Sequence, residues 1–237
     1  MNATWSPGDT LPDRYDHRAW QAPFFEALRP ALEPGATILD IGSGRRPTLA
    51  QEERPPGCTY VGFDRSQAEL DLAPAGSYDR TVVGDVQHGM AELESSFDLV
   101  ISWQVLEHVR SLGAAVGTIR SYLRPGGLFV GLLSGKFALF GLANHLVPHR
   151  AAAWAMHRML GRDPSSVFPA YYDRCWYSAL TELGGSWSAF SVEPRHAGAA
   201  YLAFSPRLQR LYLSYEEWVI RTRRRNLATH YLLVGER

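Results

Sequence analysis

Hydrophobic and polar residues follow two different periods along this chain. Short, nearly continuous apolar runs recur, and each ends in a polar or glycine-rich turn that leads into a stretch with helical spacing. The runs cover residues 36–41, 59–63, 80–83, 97–101 and 127–132. Such runs are typical of strands buried on both faces, as in a parallel sheet between two helical layers. With two further strand-like segments, at 186–190 and 230–234, the pattern predicts an α/β fold with a doubly wound, mostly parallel sheet of seven strands.

Helical spacing accounts for much of the remaining chain. Apolar residues recur on one helical face over residues 16–32 and again over 111–123, where Ser111 is the expected N-cap. The sequence Pro125-Gly126-Gly127 is expected to end this second helix and turn into the next strand. A third, amphipathic helix is expected over 208–225, and it ends in a cluster of arginines. Its apolar face predicts packing on the sheet, with a homodimer interface or a peripheral membrane contact as alternatives.

The chain is predicted to form a single domain, because 237 residues of α/β pattern can enclose one large core. A lead-in and helix occupy residues 1–35, the repeated strand–helix units occupy 36–135, and the C-terminal strands and helix occupy 181–237. Between them, residues 136–180 show helical spacing without a strand. We interpret this segment as a helical insertion that forms a substrate lid.

Charge and cysteine content narrow the class of protein. The 24 basic and 24 acidic side chains balance to a net charge of zero, which favours a small-molecule partner over nucleic acid. Cys58 and Cys175 lack the spacing of a disulfide framework or a zinc site, so we expect free thiols in a reducing cytoplasm and no metal centre. No apolar stretch approaches the roughly 18 residues of a membrane span, which predicts a protein without stable membrane insertion.

Ligands of parallel α/β sheets bind at the carboxyl ends of the strands, so the residues that follow each apolar run are candidates for chemistry. The first run ends in Asp40-Ile41-Gly42-Ser43-Gly44. Its two glycines let the backbone pass close to a ligand, and Asp40 can order the turn or accept a hydrogen bond from a ligand amine. The alternative is a tight strand-to-helix turn without a ligand.

The second and third runs end in aspartates. Asp64 follows Asp40 by about two dozen positions, the separation at which a carboxylate meets ribose hydroxyls in nucleotide-binding βαβ units. The alternative is that Asp64 only caps a helix that begins near Ser66. In Gly84-Asp85-Val86, we expect the carboxylate of Asp85 to be able to accept a hydrogen bond from an adenine amino group while Val86 packs on the ring.

Taken in order, the segments ILDIGSG, YVGFD, VVGDV, FDLVISWQVLEHV and LRPGGLFV resemble the class I S-adenosylmethionine-dependent methyltransferases of the small-molecule group called type 11. The resemblance covers roughly residues 36–132 and implies that S-adenosyl-L-methionine is the cofactor. It assigns the methionine portion of the cofactor to the loop after the first strand and to the residues that follow the fourth strand. It assigns the ribose to the acidic residue that ends the second strand. The adenine is assigned to the residue after that one and to the residues that end the third strand. The residues concerned are Asp40, Gly42, Ser43, Gly44, Ser102 and Gln104 for methionine, Asp64 for ribose, and Arg65 and Asp85 for adenine, where Val86 is already expected to pack on the ring.

The chain departs from the family pattern at Arg45-Arg46-Pro47, where most relatives carry a third glycine or a Thr-Gly pair. Two interpretations stay open: the arginines neutralise the cofactor carboxylate, or they lie in solvent. The missing glycine also weakens the alternative of an NAD-dependent oxidoreductase, since the dinucleotide fingerprint uses it for close helix-to-strand packing.

Methyl transfer from a sulfonium is an in-line displacement, so the protein chiefly aligns the reactants and excludes water. If the acceptor is a hydroxyl, His108 is the candidate general base, because its ordinary pKa lies near neutrality. The alternative is a structural imidazole that shapes the Leu106-Glu107-His108 turn.

We therefore predict an enzyme that methylates a small molecule, with O-methylation of a sugar or natural-product-like acceptor favoured over N- or C-methylation. Candidate substrate-binding residues are Tyr15, His145, Tyr171 and Tyr172. A catalytically silent cofactor-binding protein is the main alternative.

Overall fold

A single mixed sheet organises the protein. The computed structural model describes residues 11–138 and 169–237. Within these ranges the strands are β1 (Thr37–Ile41), β2 (Thr59–Asp64), β3 (Arg80–Val83), β4 (Phe97–Trp103), β5 (Leu123–Ser134), β6 (Ala189–Arg195) and β7 (His230–Glu236). They lie in the order β3-β2-β1-β4-β5-β7-β6.

Strand direction confirms the predicted architecture. The pairs β3–β2, β2–β1, β1–β4 and β4–β5 are parallel, whereas β7 is antiparallel to both β5 and β6. The chain thus forms a doubly wound, mostly parallel sheet of seven strands. Its order reverses where β1 and β4 lie side by side, which is the position at which such sheets open a ligand crevice.

Helices cover both faces of the sheet. The described helices are α1 (His17–Leu28), α2 (Gln67–Asp71), α3 (Leu112–Tyr122), α4 (Tyr177–Glu182) and α5 (Pro206–Arg221). On one face, Phe24 and Leu28 of α1 belong to the buried cluster that contains Ile38 of β1. On the other, Val116 and Ile119 of α3 pack in the cluster that contains Leu39, Val100 and Phe129. Alternate residues of the buried strands therefore supply two separate cores.

The expected helix starts are present. Ser111 caps α3 by accepting the Ala114 amide at 3.4 Å, as predicted, and Ser66 caps α2. Several boundaries differ from the prediction, among them those of β5, β6 and α5. Strand β5 begins directly after α3, so that Pro125-Gly126-Gly127 lies inside it at a shift of register. Strand β6 begins three residues later than expected, because 183–186 form a 3₁₀ turn. Helix α5 ends at Arg221, four residues early.

The predicted helical insertion is described only at its edges. Residues 139–168 lie outside the described ranges, and so does the candidate residue His145. Residues 169–175 form an irregular segment tied to the exit of β4, and α4 follows it. None of the helices in the described parts of the chain has both the length and the apolar character needed to cross a membrane.

Candidate active site

A cavity of about 940 Å³ opens at the carboxyl ends of β1, β2, β3 and β4. Its walls are the loops that leave these strands, part of α1, and the residues Pro169 and Tyr171. Most of the candidates from the sequence share this cavity: Gly42, Ser43, Gly44, Asp64, Arg65, Asp85, Val86, Gln104, His108 and Tyr171. The fold thus brings together residues that are up to 129 positions apart, counting from Gly42 to Tyr171.

The loop after β1 requires both of its glycines. Gly42 has φ of +71°, and a Cβ atom there would lie 2.4 Å from the Cγ atoms of Val105. Gly44 has φ of +47°, and its Cβ would lie 3.3 Å from Oδ2 of Asp64. A side chain would strain the backbone and overlap a neighbour at Gly42. The loop can therefore bring bare backbone to the floor of the cavity.

Asp40 orders this loop from beneath and does not line the cavity. Its side chain is fully buried and accepts three hydrogen bonds, from the Thr48 amide (2.7 Å), the Thr48 hydroxyl (2.8 Å) and the Tyr60 hydroxyl (2.6 Å). Burial raises the pKa of Asp40 to about 6, although each of these donors acts to lower it. Of the two roles expected for Asp40, the structure shows the ordering of the turn.

The two arginines that interrupt the family pattern behave differently. Arg45 forms a bidentate ion pair with Glu69 of α2, with both N···O distances at 2.7 Å. This pair holds the pKa of Glu69 below its usual value. Arg46 also lines the cavity, is exposed, and has no carboxylate partner within 4 Å among the described residues. The guanidinium of Arg45 is therefore held by Glu69, whereas that of Arg46 can bind an anion in the cavity.

Asp64 lies half-buried at the end of β2. Its Oδ1 accepts the Ser66 amide at 2.9 Å, so this carboxylate does help to shape the start of α2. It also faces the cavity, beside Gly44. Burial raises the pKa of Asp64 from its ordinary value. Asp64 can therefore both support the start of α2 and face a ribose in the cavity.

Asp85 is held in place at the end of β3 by its neighbours. It accepts from the amide and the side chain of Gln87 at about 3 Å, and Arg65 lies 3.8 Å away. Burial acts to raise the pKa of Asp85, but the hydrogen bonds from Gln87 and the charge of Arg65 outweigh it and lower the pKa. Val86, which follows, is buried and forms part of the cavity wall.

Sequence reasoning missed Gln87. Its Oε1 accepts the backbone amides of Arg110 and Ser111 at 2.9 and 2.8 Å, while its Nε2 donates to Asp85. One side chain thereby connects the exit of β3 to the start of α3. A glutamine two positions after an aspartate carries no recognisable signal, because its partners come from a distant turn.

The exit of β4 divides its side chains between core and cavity. Ser102 is fully buried and does not line the cavity, whereas Trp103 and Gln104 do. Gln104 has φ of +54° and donates its amide to the Leu132 carbonyl at 2.7 Å. This left-handed turn directs the chain into the segment that carries His108.

His108 lines the cavity with a defined ring orientation. Its Nδ1 lies 3.0 Å from the carbonyl oxygen of Pro169. A carbonyl only accepts, so Nδ1 is the protonated nitrogen in this contact and Nε2 carries the lone pair of the neutral ring. The adjoining Glu107 is buried, and its side chain accepts the Ser134 amide at 3.2 Å.

The three other aromatic candidates occupy different environments. Tyr171 is 38% exposed and lines the cavity, and Arg110 lies 5.0 Å from the centre of its ring. Tyr172 is buried and lies outside the cavity lining. Tyr15 is also outside it, because its hydroxyl donates to the buried Glu216 on α5. Of the three, only Tyr171 meets the expectation of a side chain at the pocket.

The sequence did not reveal which residues of α1 face the site. Gln21 and Phe25 line the cavity together with Trp103. The rings of Phe25 and Trp103 lie 6.5 Å apart, and Phe24 packs edge-on against Trp103 at 4.8 Å. The helical spacing of α1 could have indicated an apolar face but not its neighbour. In the described parts of the chain, no three His, Cys, Asp or Glu side chains are grouped so as to hold a metal ion.

Comparisons with known proteins place this geometry in a family. Residues 13–183 match the family model described as a methyltransferase domain. The ubiquinone biosynthesis O-methyltransferase of Xanthomonas campestris pv. campestris is 34% identical over 197 residues, which cover 72% of this chain and 81% of that enzyme. The enzyme of the same name from Mesorhizobium japonicum is 29% identical over 114 residues, and the chain spans only 45% of its length.

The fold has solved counterparts. An S-adenosylmethionine-dependent methyltransferase from Mesorhizobium loti superposes with a TM-score of 0.54 at 19% identity, covering 92% of this chain and 97% of that one. The family match spans well over half of the chain, and the sheet order and cavity position agree with it. The chain therefore belongs to the methyltransferase domain family, and it is an S-adenosylmethionine-dependent methyltransferase.

Proposed function

We propose that this enzyme transfers the methyl group of S-adenosylmethionine to a hydroxyl of a small acceptor, with His108 as the general base. The observation that carries the proposal is the bond from Nδ1 of His108 to the Pro169 carbonyl at 3.0 Å, in a residue that lines the cofactor-sized cavity. The names of the Xanthomonas and Mesorhizobium relatives, both O-methyltransferases, support a hydroxyl acceptor.

The cavity fits the cofactor at both of its ends. Gly42 and Gly44 hold the loop in a positive-φ turn at the cavity wall without side chains, which suits a ligand that approaches the backbone. Asp64 faces the cavity with carboxylate oxygens that suit ribose hydroxyls, and Asp85 offers an acceptor for the adenine amino group beside the apolar Val86. We assign these five residues to cofactor binding.

Arg46 supplies the charge that the methionine portion needs. The cofactor ends in a carboxylate, and the described cavity lining contains three arginines. Arg45 is engaged by Glu69 and Arg65 lies beside Asp85, whereas Arg46 has no carboxylate within 4 Å among the described residues. We assign Arg46 to the cofactor carboxylate, which makes it a replacement for the family glycine with a binding role of its own.

When bound, S-adenosylmethionine supplies an electrophilic methyl carbon attached to a positively charged sulfur. His108 takes the proton of the acceptor hydroxyl at Nε2 as the acceptor oxygen becomes nucleophilic. The Pro169 carbonyl holds the ring in the tautomer that this step requires and stabilises the imidazolium that forms. The apolar walls formed by Phe25, Trp103 and Val109 exclude water from the line of attack.

Part of the cavity lining is aromatic, and we place the acceptor there. Phe25, Trp103 and Tyr171 form this part, and Gln21 adds a polar group from α1. Flat aromatic walls with a few polar groups suit a ring-bearing acceptor. Of the two acceptor types expected from the sequence, we favour the natural-product-like one and propose a hydroxyl on an aromatic ring.

The test is transfer of a labelled methyl group. The protein is incubated with methyl-labelled S-adenosylmethionine and matched panels of phenols, sugars and amines, and the products are identified by mass spectrometry. The proposal predicts labelled methyl ethers, mainly of phenols. Label on amines alone would overturn the hydroxyl assignment, and tight cofactor binding without transfer to any panel would favour the silent cofactor-binding alternative.

A further inference from the structure

Helix α5 carries an apolar stripe that the fold leaves in solvent. The stripe consists of Phe204, in the preceding turn, and Leu208, Leu211 and Tyr215 on the helix. Their exposed fractions are 66%, 46%, 68% and 36%. The spacing of three or four residues places them along one side of the helix, over a length of roughly 16 Å at 1.5 Å per residue.

The stripe is distinct from the side of α5 that packs on the protein. Tyr212, Leu213, Glu216 and Val219 are buried, and Tyr212 and Leu213 form a small cluster with Ala199. Packing on the body of the protein, which was expected for this helix, therefore accounts for only one of its apolar faces. Exposed aromatic and leucine side chains in a continuous row mark an interaction surface.

Arginines lie within the span of the stripe and beyond its C-terminal end. Residues 204–225 contain six arginines, at 207, 210, 221, 223, 224 and 225, against two glutamates, at 216 and 217. Glu216 is buried and Glu217 pairs with Arg14 at 2.6 Å, so neither neutralises this surface. Among the described residues, none of the six arginines has a carboxylate within 4 Å.

We infer that α5 is a peripheral docking surface for an anionic lipid bilayer. An apolar stripe accompanied by arginines matches a helix that lies in the headgroup plane, with its apolar side in the acyl boundary and its cations on lipid phosphates. A second copy of the chain fits less well, because in a symmetric contact the partner presents this same basic surface and offers no opposite charge to it. The chain as a whole is neutral, so the attraction is confined to this surface.

Vesicle flotation tests the inference with the full chain. Vesicles of pure phosphatidylcholine are compared with vesicles in which about a third of the lipid is phosphatidylglycerol. The inference predicts flotation with the anionic vesicles, weaker flotation with the neutral ones, and loss of the difference in high salt. Leu211→Ser is expected to lower partitioning by roughly tenfold, and Arg207→Gln by roughly fivefold.

Leu72→Ser is the matched control, since Leu72 is a comparably exposed leucine (58%) outside both the stripe and the cavity lining. It should float as the wild type does, and all variants should keep their affinity for S-adenosylhomocysteine. Equal flotation with both vesicle types, or unchanged flotation of Leu211→Ser, would overturn the inference. So would sedimentation equilibrium that shows a dimer which Leu211→Ser converts to a monomer, because a second copy would then cover the stripe.

Discussion

The Nδ1 atom of His108 lies 3.0 Å from the carbonyl oxygen of Pro169. This contact joins the turn after β4 to a segment that is 61 residues further along the chain. The amides of Tyr171 and Tyr172 donate to the Glu107 carbonyl, and the Leu112 amide donates to Asp173. These bonds fix the ring that we propose as the base and bring Tyr171 to the same cavity.

The first prediction concerns the cradle for the cofactor. Gly42→Ala is expected to destabilise the fold by roughly 2–5 kcal/mol. Two costs add: an alanine in the left-handed region strains the backbone, and its Cβ overlaps the side chain of Val105. Gly57→Ala is the matched control: its φ of +69° is nearly the same, but nothing lies within 4 Å of the added Cβ. It should cost only about 1–2 kcal/mol. Urea denaturation measures both, and equal losses would show that Val105 does not restrict the site.

The second prediction separates the two arginines of the loop. Arg46→Met is expected to weaken binding of S-adenosylhomocysteine by roughly 10- to 100-fold, since it removes a charged hydrogen bond to the carboxylate. Binding of 5′-methylthioadenosine, which lacks that carboxylate, should not change. In Arg45→Met, calorimetry should show similar small effects on both ligands, because Arg45 is paired with Glu69. Equal weakening of both ligands by Arg46→Met would remove the assignment.

The third prediction concerns the ribose. Asp64→Asn is expected to reduce affinity for S-adenosylhomocysteine by roughly tenfold or more, because a charged acceptor of hydroxyl protons is lost. Asp71→Asn, on the outer surface of α2, serves as the control. The substitution is also measured with the 2′-deoxy analogue of S-adenosylhomocysteine. If Asp64→Asn weakens binding of this analogue as much as it weakens binding of S-adenosylhomocysteine, Asp64 does not contact the 2′-hydroxyl.

The fourth prediction is a pH dependence of stability. His230 is buried, and burial lowers its pKa to about 3, with help from the charges of Arg195 and His196. The unfolded chain therefore binds a proton between about pH 6.5 and 3 that the folded chain does not. The free energy of unfolding should fall by up to about 1.4 kcal/mol per pH unit across this window as the pH decreases.

The variant His230→Gln should remove that part of the pH dependence, whereas His17→Gln, at an exposed histidine, should keep it. Urea denaturation at pH 7, 6 and 5 compares the slopes. Parallel profiles for the wild type and His230→Gln would show that His230 does not stay neutral in the folded protein.

The sequence predicted much of the site because parallel strands place their exits together. Asp64, Asp85 and His108 follow three different apolar runs, and strand order alone brings them to one crevice. The strands themselves were predictable for the same reason, since each is a buried apolar run. The observed strands differ from the predicted ones at their ends, for example in β6, which begins after a 3₁₀ turn.

What the sequence could not predict depends on partners that are distant along the chain. Asp40 was expected near the ligand, but Tyr60 and Thr48 occupy its oxygens beneath the loop. Tyr15 was expected over the cofactor, but its hydroxyl meets Glu216, 201 residues away. Packing between such residues is set by the assembled fold, and no local pattern encodes it.

The most direct test of the proposed mechanism is to compare turnover with ligand binding in His108→Gln, using the acceptor that the wild type methylates best. A general base contributes about 10²- to 10⁴-fold, so kcat should fall by at least about 100-fold while the Kd for S-adenosylhomocysteine stays within about twofold. A variant that retains the wild-type kcat would contradict the account, and would make His108 a structural part of the turn.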